Sequence, residues 1–312
     1  MKKIFINKNS QVRSGWKIAS VFSSFFIGAN LLAGIIVFIY FITEVISKKI
    51  SLNQVNNIQI AVSNISSPLG FACNIVQCLC MIFFVVLFWK VYDKRKIKEI
   101  GFINIKKGYK DLIIGLIFGA VSLIIVFIVL LVTKNILLLN SLTKPNIGFS
   151  LVTGLIVFIF VGINEEMFSR GYCMTVLKQT NNKYVVVIVS AIIFSLMHSL
   201  NPGMNPFCYV NLFLFGLLTA YMAIKSSNLW LSIGYHITWN YFEGNVCGFL
   251  VSGQGTSGMY NLKIPANNFI NGGEFGPEGG IVVTIIILLG FIYLWKFYKP
   301  SLDASSQVLM KK

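Results

Sequence analysis

Long apolar runs separated by short polar segments dominate the chain. A helix needs about 20 apolar residues to span the roughly 30 Å hydrocarbon core of a bilayer. Eight runs approach or meet that length, at 19–46, 69–92, 112–133, 148–168, 184–200, 206–224, 228–243 and 280–297. The third is the clearest, since no charged residue falls between Leu112 and Val132. The fifth and seventh are short and carry polar residues. The pattern predicts an all-α integral membrane protein, a bundle of about eight transmembrane helices. The first run is too long for a signal-peptide core and lacks a small-residue cleavage site, so it reads as an uncleaved anchor.

Two connecting segments are more than links. Residues 93–111 form a basic, interfacial stretch containing Lys94-Arg95-Lys96-Ile97-Lys98. Residues 244–279 form an outer loop rich in Gly and Asn, which runs into the last span through Gly276-Pro277-Glu278-Gly279-Gly280. No flexible linker, low-complexity tract or clear internal repeat divides the chain, so residues 1–312 read as a single membrane domain.

Composition agrees with the spans. The chain is 56% hydrophobic and 12% charged, with 27 Phe and a mean hydropathy of +0.77. A soluble domain carries about a quarter charged residues, so a water-soluble globule is excluded. A net charge of +16 would point to nucleic acid in a soluble protein. Here 21 of the 26 Lys and Arg fall in segments on one side of the predicted topology, with both termini, and 5 on the other. Basic residues accumulate on the cytoplasmic side. The excess charge is therefore a topology signal that places both termini in the cytoplasm, at the plasma membrane if the source is bacterial, with the lipid bilayer and no nucleic acid as partner. The six cysteines show no C-x-x-C pairing and read as small buried hydrophobes.

Ionisable residues inside spans are costly and mark functional sites by default. Glu44 and Glu243 are expected at span ends with access to water, and Glu243 and Trp239 as interfacial anchors. Phe25, Phe26, Phe83 and Phe84 are expected to face lipid. Every other deep ionisable residue lies between 165 and 240: Glu165, Glu166, Arg170, His198 and His236, the last two being the only histidines. Glu166 and Arg170 are four apart on one helix face, at ion-pairing spacing. Glu165 lies about 100° round the helix, without an intrahelical partner. Phe194 and His198 share a face, as do His236 and Asn240. Three helices can thus each turn a polar element inward: a carboxylate, an imidazole, and an imidazole with an amide. These are the parts for amide hydrolysis, with water activated by Glu165 and His198 and an oxyanion held by His236 and Asn240. Singly, a Glu–Arg pair or a membrane histidine more often ties helices together; the coincidence of all three motifs favours chemistry.

Glu165-Glu166-x-x-x-Arg170, Phe194-x-x-x-His198 and His236-x-x-x-Asn240, in that order on successive helices, resemble the three motifs of the CAAX protease and bacteriocin-processing (CPBP or Abi) family of intramembrane endopeptidases, type II CAAX prenyl protease-like. The match covers the motif core, residues 148–243, with Arg170-Gly171-Tyr172 and Leu229-Trp230 as similar flanks. The resemblance implies a membrane endopeptidase with its active site inside the bilayer, acting on a membrane-associated protein or peptide in CAAX-type processing, bacteriocin maturation or self-immunity. It also implies Glu165, His198, His236 and Asn240 as catalytic residues, supported by Glu166, Arg170 and Phe194. A non-catalytic immunity or scaffold protein of the same family is the alternative. A transporter is disfavoured, because no repeat with broken helices is visible. Two mechanisms stay open. One is a metal-free, glutamate-activated water, which is preferred because the chain has no H-E-x-x-H. The other is zinc held by Glu165, His198 and His236, a His2Glu set of the kind that leaves a position for water. For the site to close at all, the fourth helix must continue past residue 168 to about Thr175.

Overall fold

The computed structural model describes residues 2–47 and 55–301. Lys48, Lys49, Lys311 and Lys312, which entered the charge count above, lie outside them. Nine helices of at least nine residues organise the described residues: α1 (Ser14–Ile46), α2 (Val55–Ser63), α3 (Pro68–Phe88), α4 (Ile105–Val132), α5 (Ser150–Glu166), α6 (Lys183–Met197), α7 (Pro206–Ser226), α8 (Trp230–Tyr241) and α9 (Ile281–Lys296). The only sheet among the described residues pairs Leu137–Leu138 with Leu262–Lys263, antiparallel. The protein is an all-α integral membrane protein.

Each predicted span coincides with a helix, but length separates them. Five are long and apolar enough to cross a membrane: α1, α3 with its extension to Asp93, the helix ending at Val132, α5 with its extension to Thr180, and α7. α6 and α9 are apolar but shorter, and α8 has only 12 residues. Helix α4 starts well before the predicted residue 112, so the basic stretch ends in a helical turn carrying Lys106, Lys107 and Lys110. Large apolar side chains such as Phe38, Leu31 and Ile128 stand exposed on the outside, where lipid replaces water as solvent. Phe83 and Phe26 are exposed as expected, whereas Phe84 and Phe25 pack partly buried against the core, and Phe25 and Phe26 line a cavity.

Short α8 lies at the centre, against α4, α5 and α7. In lipid, helices associate through close packing, which small residues permit. Gly115 and Gly119, one turn apart on α4, do this: a Cβ on Gly115 would overlap the Leu231 carbonyl, and one on Gly119 the Tyr235 carbonyl. Gly234 answers from α8, where a Cβ would meet the Leu112 carbonyl. The backbones touch, and α8 is held with its other face toward α5, α6 and α7.

Buried ionisable groups are not confined to residues 165–240, as the sequence suggested. Lys17, Asp111, Glu243 and Glu278 are buried too. Asp111 accepts hydrogen bonds from Asn228 Nδ2 (2.8 Å), Tyr298 Oη (2.6 Å) and Ser301 Oγ (2.6 Å), joining α4, the start of α8 and the segment after α9. Glu243 and Trp239 are fully buried, so neither is an interfacial anchor. The outer loop folds back over the helix ends and removes them from solvent.

Candidate active site

Helix α5 does not stop at its last α-helical residue, Glu166. It continues as a π-helical segment, Met167–Cys173, and a further turn, Met174–Leu177. π-turns inside α-helices gather at functional sites. Within this stretch the Glu166 carboxylate lies 3.1 Å from the Arg170 guanidinium, both side chains fully buried. Arg170 also donates to the Gly216 carbonyl at 3.2 Å and sits 4.3 Å above the Phe194 ring. A charge this deep is tolerated only with such compensation.

The same oxygen of Glu166 accepts from His236 Nδ1 at 3.0 Å. A carboxylate can only accept, so Nδ1 carries the hydrogen and Nε2 is turned outward. His198, at the C-terminus of α6, is fixed in a parallel way: its Nδ1 donates to the Phe194 carbonyl at 3.0 Å. Both Nε2 atoms face one oxygen of Glu165, at 4.0 Å from His198 and 3.8 Å from His236. Phe194 and Phe215 wall the imidazoles in, with ring centres 5.0 Å from His198 and 5.1 Å from His236 respectively.

Glu165, His198, His236 and Asn240 line one cavity of about 400 Å³. Its floor is α5 and α8. One wall is Phe22, Phe25 and Phe26 of α1 with Cys78 of α3; another is the end of α6. All four residues singled out from sequence meet here; Phe194 lines the cavity with them, and Glu166 and Arg170 stand behind. Two groups were missed. Glu278 and Ser252 come from the segment beyond α8 and line the same cavity. The glycine run around Glu278 was the only trace of them in the sequence.

Residues 147–242 match the model of a family described as Type II CAAX prenyl endopeptidase Rce1-like. This segment is similar to that family. Its members are membrane endopeptidases, and the matched segment carries all three motifs along α5 to α8. Helices α1–α4 and α9 lie outside the Rce1-like segment, yet α1 and α3 still form a wall of the cavity. No curated protein and no solved structure matches the chain.

The Rce1-like site can also be tested against zinc. Two imidazole nitrogens and a carboxylate oxygen are a suitable donor set. Bonds of about 2.0–2.1 Å in a tetrahedron place donors about 3.3 Å apart, so these atoms would have to close by about half an ångström. Among the described residues no group of three His, Cys, Asp or Glu stands at metal-holding spacing. The donor chemistry fits zinc; the spacing is wider than a bound ion would set.

Proposed function

We propose that this protein is an intramembrane endopeptidase that hydrolyses a peptide bond of a membrane-associated protein or peptide through a water activated by Glu165. The observation that carries this reading is the approach of both imidazole Nε2 atoms to a single oxygen of Glu165, at 4.0 and 3.8 Å. Separations beyond hydrogen-bond length, between groups that all face one cavity, suit a shared water. Glu165 takes the proton of that water while His198 orients it. The resulting hydroxide adds to the scissile carbonyl carbon. The Asn240 amide donates to the oxygen as it becomes an oxyanion, and His236 can do so from Nε2 only as an imidazolium, the cation that the Glu166 carboxylate at Nδ1 would stabilise. When the C–N bond breaks, the proton held by Glu165 passes to the leaving amine. Glu166 keeps His236 aimed, and Arg170 holds Glu166 in place.

A zinc ion held by Glu165, His198 and His236 would supply Lewis-acid polarisation and a bound water of lowered pKa. Zinc content of the purified protein, with cleavage measured before and after a membrane-permeant chelator, separates the two chemistries. The metal-free mechanism predicts substoichiometric zinc and unchanged cleavage. The charge distribution supports cytoplasmic termini, and a bacterial chain would lie in the plasma membrane.

The substrate need not be known to test the reading. Membrane peptides are compared, by mass spectrometry, between cells carrying the wild type and cells carrying Glu165→Gln, His198→Ala or His236→Ala at equal expression. Peptides with new termini should appear only with the wild type. Identical peptide sets in all strains would refute proteolysis and favour a non-catalytic immunity or scaffold role.

A further inference from the structure

The segment that joins the outer loop to α9 is built to deliver one side chain. Gly272 and Gly276 have φ of +80° and +96°, which an L side chain rarely adopts. A Cβ on Gly276 would overlap the Leu250 carbonyl, and one on Gly272 the Gly276 carbonyl. Between Gly276 and Gly279 a single 3₁₀ turn, Pro277–Gly279, presents Glu278. The turn is anchored from below. Asn211 of α7 donates to the carbonyls of Glu278 (2.7 Å) and Gly280 (2.9 Å), and accepts from Thr284 Oγ1 of α9 at 2.6 Å.

The carboxylate of Glu278 is nearly buried and joins two parts of the cavity lining. One oxygen accepts from Trp239 Nε1 at 3.0 Å, and the other from Ser252 Oγ at 2.5 Å. Trp239 directly precedes Asn240 and lies three residues after His236. Its indole is fully buried, edge-on to Phe215 at 5.3 Å and against Tyr235 at 5.5 Å. Phe215 in turn packs on both Phe194 and His236. The indole N–H is therefore a directional contact on the face of α8 turned to Glu278, beside those of His236 with Glu166 (3.0 Å) and Thr238 with the Leu116 carbonyl (2.7 Å), and together they fix the rotation of α8 about its axis. Hydrophobic contacts alone are non-directional. Ser252 lines the cavity beside Glu278.

We propose that Glu278 is a positioning residue for peptide hydrolysis: through Trp239 it orients the face of α8 that presents His236 and Asn240, and through Ser252 it holds the turn that pairs Val251 with Gln254 as part of the cavity's lining. The proposal rests on the endopeptidase reading for its kinetic consequences, but its structural consequence is independent of that reading.

The test uses full-length protein reconstituted in phosphatidylethanolamine–phosphatidylglycerol vesicles. The variants are Glu278→Gln, Glu278→Ala and Ser252→Ala, with Glu165→Gln as the inactive reference. Hydrogen exchange by mass spectrometry is read first. Glu278→Ala should speed exchange in 235–256 and leave α1 and α3 unchanged. Glu278→Gln, which keeps an acceptor for the indole, should restore the wild-type pattern. Unchanged exchange in 235–256 for Glu278→Ala would overturn the proposal whether or not any peptide is cleaved. Kinetics follow with a fluorescence-quenched, C-terminally farnesylated CAAX peptide. A misplacement of catalytic groups by about 1 Å costs about 10²-fold. Glu278→Ala should therefore lose about 10²-fold in kcat with KM within about twofold, and Glu278→Gln should recover most of it. A raised KM with intact kcat would make Glu278 a substrate-binding residue and overturn the positioning role. Wild type inactive on this peptide would count against CAAX-type processing alone, and the exchange result would still decide the role of Glu278.

Discussion

Replacing Glu166 by alanine tests how the site is held together. Arg170 and Glu166 have no exposed side-chain surface. Without the carboxylate, Arg170 keeps only the Gly216 carbonyl and the face of Phe194. Breaking a buried ion pair from one side costs about 3–5 kcal/mol, because the remaining charge stays buried. His236 Nδ1–H loses its acceptor as well, for about 1–3 kcal/mol more. The sum is about 4–8 kcal/mol, a large part of the stability of most domains. The six buried, unpaired cysteines supply the assay: a thiol-reactive dye reports unfolding of detergent-solubilised protein as they become accessible. The midpoint for Glu166→Ala should fall by at least about 10 °C. The double variant Glu166→Leu with Arg170→Met removes both charges, and apolar replacement of a buried pair is neutral to stabilising. It should recover most of the lost midpoint, keeping only the loss of about 1–3 kcal/mol owed to the unpaired His236 Nδ1–H, yet remain inactive, because His236 lacks its acceptor. Glu166→Ala melting within about 2 °C of wild type, or a double variant as unstable as the single one, would refute the reasoning.

Three further outcomes follow from other parts of the fold. Asp111→Ala leaves three donors without an acceptor, at about 1–3 kcal/mol each. It should lower the melting midpoint and expose the chain after α9 to limited proteolysis. Gly119→Leu should force α4 from the Tyr235 carbonyl and abolish both cleavage and a sharp melt, whereas Gly34→Leu, at a position on α1 with open space around it, should melt like wild type. Burial, then the bond and charge of Asp111, hold the Tyr298 phenol above its ordinary value of 10.0. The unfolded chain ionises first as pH rises, so this contribution is complete below about pH 10 and is lost above it. Tyr298→Phe should flatten the loss of stability between about pH 10 and pH 11 relative to wild type, read by denaturation midpoints; an unchanged slope would contradict the burial of that hydroxyl.

Much of the architecture could be read from local pattern, because a membrane makes the rule simple. Backbone polar groups in lipid must be satisfied within a helix, so each apolar run became one. The site was legible for the same reason. Glu165, Glu166, Arg170, His198 and His236 are too costly to place in spans without purpose, and four-residue spacing told which pairs share a face. Glu243 and Glu278 show the limit of that reasoning. Both stand near the ends of apolar runs, where sequence equates position with exposure. The loop that buries them is polar and glycine-rich, with no periodicity to reveal its path.

The linear chain by itself determined that this is an all-helical membrane protein and which side chains could serve hydrolysis, since both follow from the cost of polar groups in hydrocarbon and from helical spacing. Only the tertiary structure decided that Glu165 lies between two imidazoles, that Glu166 is shared between Arg170 and His236, and that Glu278 reaches the cavity from a segment beyond the matched family region. Those relations depend on how far α8 sinks against the glycines of α4 and where a loop turns back, which are set by contacts between residues distant in sequence.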